Sequence, residues 1–332
     1  MDHVLRFALA LALALSAAPA TTAETDNRGF LDRSPVLIGS EQDFPLSMLG
    51  PEMPPKGKIV PDFDGSSVRS DGFLSNGAAV QPGLSTVFTT VRVGAIAGLA
   101  NAWSTAVSIP WKQISIRGTI GGQQATRTVL GLGGITLLGK RLVWRSDTDR
   151  VVASFGLELP TGTSAASFNE VNSVTTAYYG IPRLPLSWQP SSGTLNGYLA
   201  AAYRKMHGRL SYAALLAGKL HTQGDQDVTI GSIVILSVNG TYGVARDVAF
   251  ALGLTYRAQG NDSYPNAPPP GVDQPALAGT TTHGSTLTLD PSVRFSVMGR
   301  AVVGIGFRTL LVRPNNGMVP QAQVYFIFYP AL

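Results

Sequence analysis

Cysteine is absent from the 332-residue chain, which removes a disulfide framework, a cysteine zinc site and a thiol nucleophile together. Histidine is almost as scarce: there are four, and His3 falls in a segment expected to be cut away. Charge is thin, with Asp, Glu, Lys and Arg making up 14% of the chain against a usual ~25%. Long apolar runs are missing too. The best candidate, Ala95 to Ile109, is bounded by Arg92, Pro110 and Lys112 and falls short of the ~20 residues a helix needs to cross a bilayer.

What is present points elsewhere. An apolar share of 44% with 37 Gly and 22 Pro is too apolar for a disordered chain. The formal charge of +5 is spread without a Lys/Arg cluster, so nucleic acid is not an expected partner. At the N-terminus, Arg6 precedes an apolar run from Phe7 to Leu15 and the small-residue stretch Ala18-Pro19-Ala20. This is the layout of a secretory signal, and residues 1–23 are expected to be removed on export. Residues 24–65 carry Pro35, Pro45, Pro51, Pro54, Pro55 and Pro61 with neither helical nor strand period. They read as an irregular Pro/Gly-rich extension whose role, as plug, periplasmic tether or disordered lead, stays open.

From residue 66 onward the pattern is alternation. In Asp247 to Arg257 one parity carries Val248, Phe250, Leu252, Leu254 and Tyr256, and the other Ala249, Ala251, Gly253, Thr255 and the two charged ends. A period of two argues for a strand with one oily and one small or polar face. Similar runs lie at 209–220, 286–298 and 300–312, and near 85–94, 101–110, 133–144, 150–159, 195–205, 231–243 and 321–329. At about 9 to 13 residues they exceed the common soluble strand of ~5 to 6 and match the ~9 to 11 that cross a bilayer when tilted. A face bearing Asp290 with Arg294, or Arg300 with Arg308, suits a hydrated lumen better than the core of a sandwich.

Connections sort into two alternating kinds. Short ones fall near 145–149, 206–208, 244–246 and 298–300, and long ones near 160–194, 220–230, 259–284 and 313–320. Outer-membrane barrels have short periplasmic turns and longer outer loops. Trp144, Tyr203, Tyr212 and Tyr242 lie near the short turns, where an aromatic girdle belongs. Eleven runs plus one ascending strand near 66–76 make the expected fold all-β: a single antiparallel transmembrane β-barrel of about 12 strands, 10 to 14 within boundary error, over residues 66–332.

Two segments carry a family resemblance. GLGGITLLGKRLVW (131–144) followed by VVASFGLELPTG (151–162) resembles the Gly-Leu-Gly-Asp and Leu-Pro-Thr-Gly strand pair of the family called "MetA-pathway of phenol degradation". TYGVARDVAFALGLTYRAQG (241–260) and STLTLDPSVRFSVMGRAVVGIGF (285–307) are similar to its later hairpins, Pro291 included. The resemblance spans roughly 85–329 and implies an outer-membrane channel for small compounds, aromatic ones among them. Gly134 stands where the family has Asp, and the chain ends Tyr329-Pro330-Ala331-Leu332 instead of on an aromatic residue.

Enzyme motifs do not survive inspection. Gly134 to Lys140 matches the first seven positions of a phosphate-binding loop, but Arg141 replaces the Ser or Thr that would hold magnesium. His207, His221 and His283 lie at different places along the chain without ligand spacing, and no serine occupies a Gly-x-Ser-x-Gly elbow. No catalytic residue, cofactor or metal is expected. The functional candidates are charges on the inward parity: Lys140, Glu158, Asp247, Arg257, Asp290, Arg294, Arg300 and Arg308. In an open lumen they would filter solutes, with the Arg excess favouring anions; alternatively they pair with one another and close a small barrel. The expected function is passive passage of a small solute, hydrophobic or aromatic, across the cell outer membrane, with membrane lipid and the solute as partners. The competing readings are a surface-interaction barrel with a closed lumen, acting through loops 160–194 and 259–284, and a secreted soluble β-sandwich.

Overall fold

The computed structural model describes residues 44–75, 78–120, 123–164, 189–223, 229–261, 284–298, 301–314 and 317–330. Its strands are, in chain order, β1 Ile59–Ser75, β2 Ala78–Ala100, β3 Trp103–Ile120, β4 Gln123–Leu132, β5 Thr136–Arg145, β6 Asp149–Glu158 and β7 Asn196–His207. Then come β8 Leu210–His221, β9 Ile233–Ala245, β10 Val248–Gln259, β11 Gly284–Val297, β12 Ala301–Val312 and β13 Gly317–Pro330. All belong to one antiparallel sheet. It closes because Phe63 of β1 stands opposite Val93 of β2 on one side and Phe328 of β13 on the other.

The wall of this transmembrane barrel has 12 strands, with one extra. The extra is β4. Residues 103–108 of β3 pair with β5, whereas residues 111–120 pair with β4, so β4 and β5 are two lengths of one descending path. The break between them is stitched by Gly133 N donating to Pro110 O at 2.8 Å and Leu159 N donating to Ile135 O at 2.8 Å.

Alternation sets which face meets which solvent. On β10, Phe250, Leu252 and Leu254 are 53%, 55% and 39% exposed, while Ala249, Ala251 and Thr255 point inward and are buried. The same holds for Leu216 and Leu220 against Ser211 and Lys219, and for Ile305 and Phe307 against Arg308. In water a continuous apolar band of this extent would be an aggregation surface; around a closed barrel it is the face that meets hydrocarbon. The soluble sandwich is thereby overturned, since one sheet closes on itself and the described residues hold no second sheet for those side chains to pack on. Placing a cation there is expected to cost ~2–4 kcal/mol at mid-bilayer depth. Phe250→Arg should therefore lower the urea midpoint of the lipid-embedded protein, and an unchanged midpoint would show that Phe250 does not face lipid.

The connections separate only in part. At one end strands follow one another after two or three residues (β2 and β3, β5 and β6, β7 and β8, β9 and β10, β11 and β12); at the other, β6 and β7, β8 and β9, and β10 and β11 are far apart in sequence, but only two residues separate β1 from β2 and β3 from β4, and four separate β12 from β13. Trp103, Trp144, Tyr212 and Tyr242 are exposed near the short-turn end; Tyr203 donates its hydroxyl to Asp149 Oδ1 at 2.6 Å. The first strands differ from expectation. β1 begins at Ile59, ahead of the boundary at 66, and β2 and β3 run to 23 and 18 residues. Lengths beyond the ~9–11 that span a bilayer carry these strands past it. There the outward parity loses its oily residues, as at Thr126 and Thr128, both exposed. Alternation could not reveal β4.

Candidate functional site

The interior is occupied. Residues 44–58 enter at the short-turn end and rise through the lumen toward the long-loop end. Their base is anchored to β2, where Gly57 N donates to Gly98 O at 2.8 Å and Gly98 N donates to Lys58 O at 2.9 Å. A Cβ at Gly98 would collide with the Pro55 carbonyl, and one at Gly94 with Met48. Glycine at these two inward positions makes room for the segment. Above the anchor, Pro45 precedes the single helical turn α1 (Leu46–Leu49). Phe44, Leu46, Met48 and Leu49 are all 0–1% exposed.

Four apolar plug residues pack on an apolar patch of the inner wall that includes Ile96, Tyr198, Leu215, Ile233 and Ile235. Phe44 meets Tyr198 edge to face at 5.6 Å. Fully burying a side chain of this size contributes about 1.5–3 kcal/mol, so this contact supplies much of the adhesion. Polar contacts fix the register. Lys140 Nζ donates to the Glu52 carbonyl at 2.7 Å, and Arg204 Nη1 lies 3.1 Å from Glu52 Oε1 with both side chains buried. The Ser47 hydroxyl donates to Asp62 Oδ2 at 2.7 Å and lies 3.0 Å from Asp64 Oδ2. Asp64 in turn accepts from Arg92 Nη1 at 3.0 Å.

Two further polar clusters stand on the wall. Glu158 accepts from Asn196 Nδ2 at 2.9 Å and Lys219 Nζ at 3.0 Å, and from the Tyr198 hydroxyl. Tyr198 thus joins this cluster to Phe44 of the plug. Across the barrel, Asp290 accepts from Arg308 Nε and from Thr255 Oγ1 at 2.9 Å. Arg308 also reaches Gln323 Oε1 at 3.4 Å.

The expected lumen charges divide accordingly. Lys140, Asp290, Arg294 and Arg308 point inward and are buried, and Glu158 lies on the inner wall. Lys140, Glu158, Asp290 and Arg308 form pairs with each other, with the wall or with the plug, not rings of one sign. Arg257 is half-buried and donates to Gln259 Oε1 at 2.8 Å. Asp247 departs from expectation: it lies exposed in the turn between β9 and β10, because the alternation continues unbroken past the strand end. Arg300 lies outside the described residues. The sequence reading missed Glu52, Asp62, Asp64, Arg92 and Arg204. Glu52 lies in a Pro-rich stretch without period, and Arg204 has Lys205 beside it on an alanine-rich strand, so parity alone could not say which of the two faces inward.

Fold and lumen together define a transmembrane β-barrel of the outer-membrane class with an internal plug. No family model and no curated protein matches the chain. Among solved structures it is similar to the COG4313 outer membrane channel from Pseudomonas putida F1, with a TM-score of 0.62 and 14% identity over 85% of this chain and 97% of that one. A deletion mutant of the monoaromatic hydrocarbon channel TodX follows, with a TM-score of 0.45 and 9% identity over 92% of this chain and 99% of that one. The KdgM porin gives a TM-score of 0.44 and 9% identity over 83% and 99%. At such identities the first likeness concerns architecture alone.

Proposed function

We propose that this protein is an outer-membrane channel that passes small apolar solutes, aromatic compounds among them, passively and under the control of its plug. The observation that carries the reading is the mixed chemistry of the lumen: an apolar compartment around Phe44 stacked on a buried, cationic level around Glu52. A channel for sugars or ions needs a wetted bore; this one offers an apolar wall large enough to receive a ring. The fold shared with the Pseudomonas putida outer membrane channel and the resemblance of 131–162 and 241–307 to the phenol-degradation pathway family support it. Uptake of a radiolabelled monoaromatic alcohol by intact Gram-negative cells is expected to be faster when the protein is present, with no gain for a sugar of similar mass. Equal rates with and without the protein would remove the reading.

One observation favours the second reading, a barrel that acts through its surface: Glu158 with Lys219 and Asp290 with Arg308 are paired, and buried residues of 44–52 lie within the bore. The same uptake measurement separates the two, since a closed barrel passes neither solute.

A further inference from the structure

We propose that the outer wall carries a binding site for one acidic phospholipid of the periplasmic leaflet, with Arg141 taking the lipid phosphate. The site faces the membrane and is independent of what crosses the bore.

Arg141 lies on the parity that meets lipid. It is exposed on the outward face of β5, between Leu137 and Val143, which are 46% and 60% exposed. A charge among side chains that meet hydrocarbon is costly unless an anion reaches it. Among the described residues Arg141 has no carboxylate partner; its guanidinium is held instead by the Trp103 ring, with Cζ 5.4 Å from the ring centroid. The ring steadies the guanidinium but brings no oxygen to accept from its five N–H donors.

The seat is built from three strands. Trp103 opens β3 and stands opposite Arg141 of β5. It meets Phe155 of β6 edge to face at 6.4 Å. Phe155 in turn lies across Gly139, its partner on β5, where a Cβ would collide with the ring. Glycine at that outward position lets Phe155 lean toward Trp103, and Trp103 then presents its indole to Arg141. On the other side of Arg141 the wall is low. Ala153 stands opposite Arg141 and Ala201 opposite Ala153, neither of them buried, so an acyl chain has room beside the guanidinium.

Depth and charge select the ligand. Arg141 lies four residues above Arg145, the last of β5, which on a tilted strand is a rise of roughly 10 Å from the short-turn end. A long arginine side chain bridges that distance to the headgroup level. Short turns are periplasmic, and the leaflet there is made of phospholipid, not lipopolysaccharide. Residues 145–150, 205–209 and 246–247 carry five Lys and Arg against three Asp. A headgroup bringing its own ammonium would meet a rim already net positive, whereas a lipid whose only charge is its phosphate complements it.

Nanodiscs of equal parts phosphatidylglycerol and phosphatidylcholine offer both headgroups to the unsubstituted protein. After release into detergent, native mass spectrometry is expected to find phosphatidylglycerol retained about tenfold over phosphatidylcholine, the factor one charge-assisted hydrogen bond supplies. Arg141→Gln should bring the ratio close to one, and Arg141→Lys should keep part of the preference. Arg145→Gln removes an exposed cation from the same strand without touching the Trp103 seat, and should change the ratio by less than about twofold. Equal retention of the two lipids by the unsubstituted protein, a result that needs no variant to fold, would overturn the proposal. So would equal losses in Arg141→Gln and Arg145→Gln, the mark of a diffuse basic rim, each variant being first shown to fold by heat-dependent gel mobility. A preference for lipid A over phosphatidylglycerol, in nanodiscs holding those two, would also overturn it by placing the phosphate in the other leaflet.

Discussion

Deleting residues 44–56 is expected to turn a nearly silent barrel into one with large, stable, anion-preferring conductance steps in a planar bilayer. The wall does not depend on the segment: closure is made by β1 against β13 and β2, beginning at Ile59. What the segment supplies is volume and one negative charge in the bore. Among the described residues, six buried cations (Arg92, Lys140, Arg204, Lys219, Arg294 and Arg308) face four buried carboxylates (Glu52, Asp62, Asp64 and Asp290). Removing Glu52 widens that imbalance, and confined water strengthens the resulting field. The anion preference expected from Arg257, Arg294, Arg300 and Arg308 would then be expressed. Heat-dependent gel mobility would show that the shortened chain still forms a barrel. A folded deletion variant without conductance, or with clear cation preference, would show that something other than the plug closes the bore.

The second large effect concerns the Glu52–Arg204 ion pair between plug and wall. Arg204→Met leaves Glu52 buried beside a thioether, and breaking a buried pair from one side costs about 3–5 kcal/mol. With roughly 1.4 kcal/mol per decade, hydrogen exchange over residues 44–54 should accelerate by two orders of magnitude or more. Replacing both partners, as in Glu52→Met with Arg204→Met, removes the uncompensated charge and should recover most of the protection. The barrel itself should unfold at the same denaturant concentration in all three variants. If the single and double variants exchange alike, the pair does not hold the plug.

The outer face of the barrel was the most legible part. A lipid-facing side chain obeys a strict period of two, so Phe250, Leu252 and Leu254 announced their exposure from sequence; the order of short and long links followed only from β5 to β11, since β1 and β2, and β3 and β4, are joined by two residues at the other end. The inward face was legible in position but not in partnership. Asp290 and Arg308 lie eighteen residues apart in sequence, on adjacent strands, and Glu158 and Lys219 sixty-one apart; parity puts each in the bore without saying who meets whom. The plug was legible only as a question. A segment whose structure comes from what surrounds it has no period of its own, and Glu52 finds Arg204 across 152 residues of chain. Gly94 and Gly98 were the available hint: two glycines four apart on the inward parity of one strand, where nothing in a hydrated bore would call for so little side chain.

The seam between β1 and β13, where Phe63 stands opposite Phe328, also dictates an order of assembly. The plug is synthesised before any of the strands that surround it, yet the chamber it fills does not exist until the last strand has joined the first. During biogenesis the segment must therefore wait outside, or be enclosed at the moment of closure, and long-range contacts of this kind form late. A lesion confined to β13 would then leave the entrance unguarded as well as the wall unfinished, linking a defect near one end of the chain to a leak governed from the other.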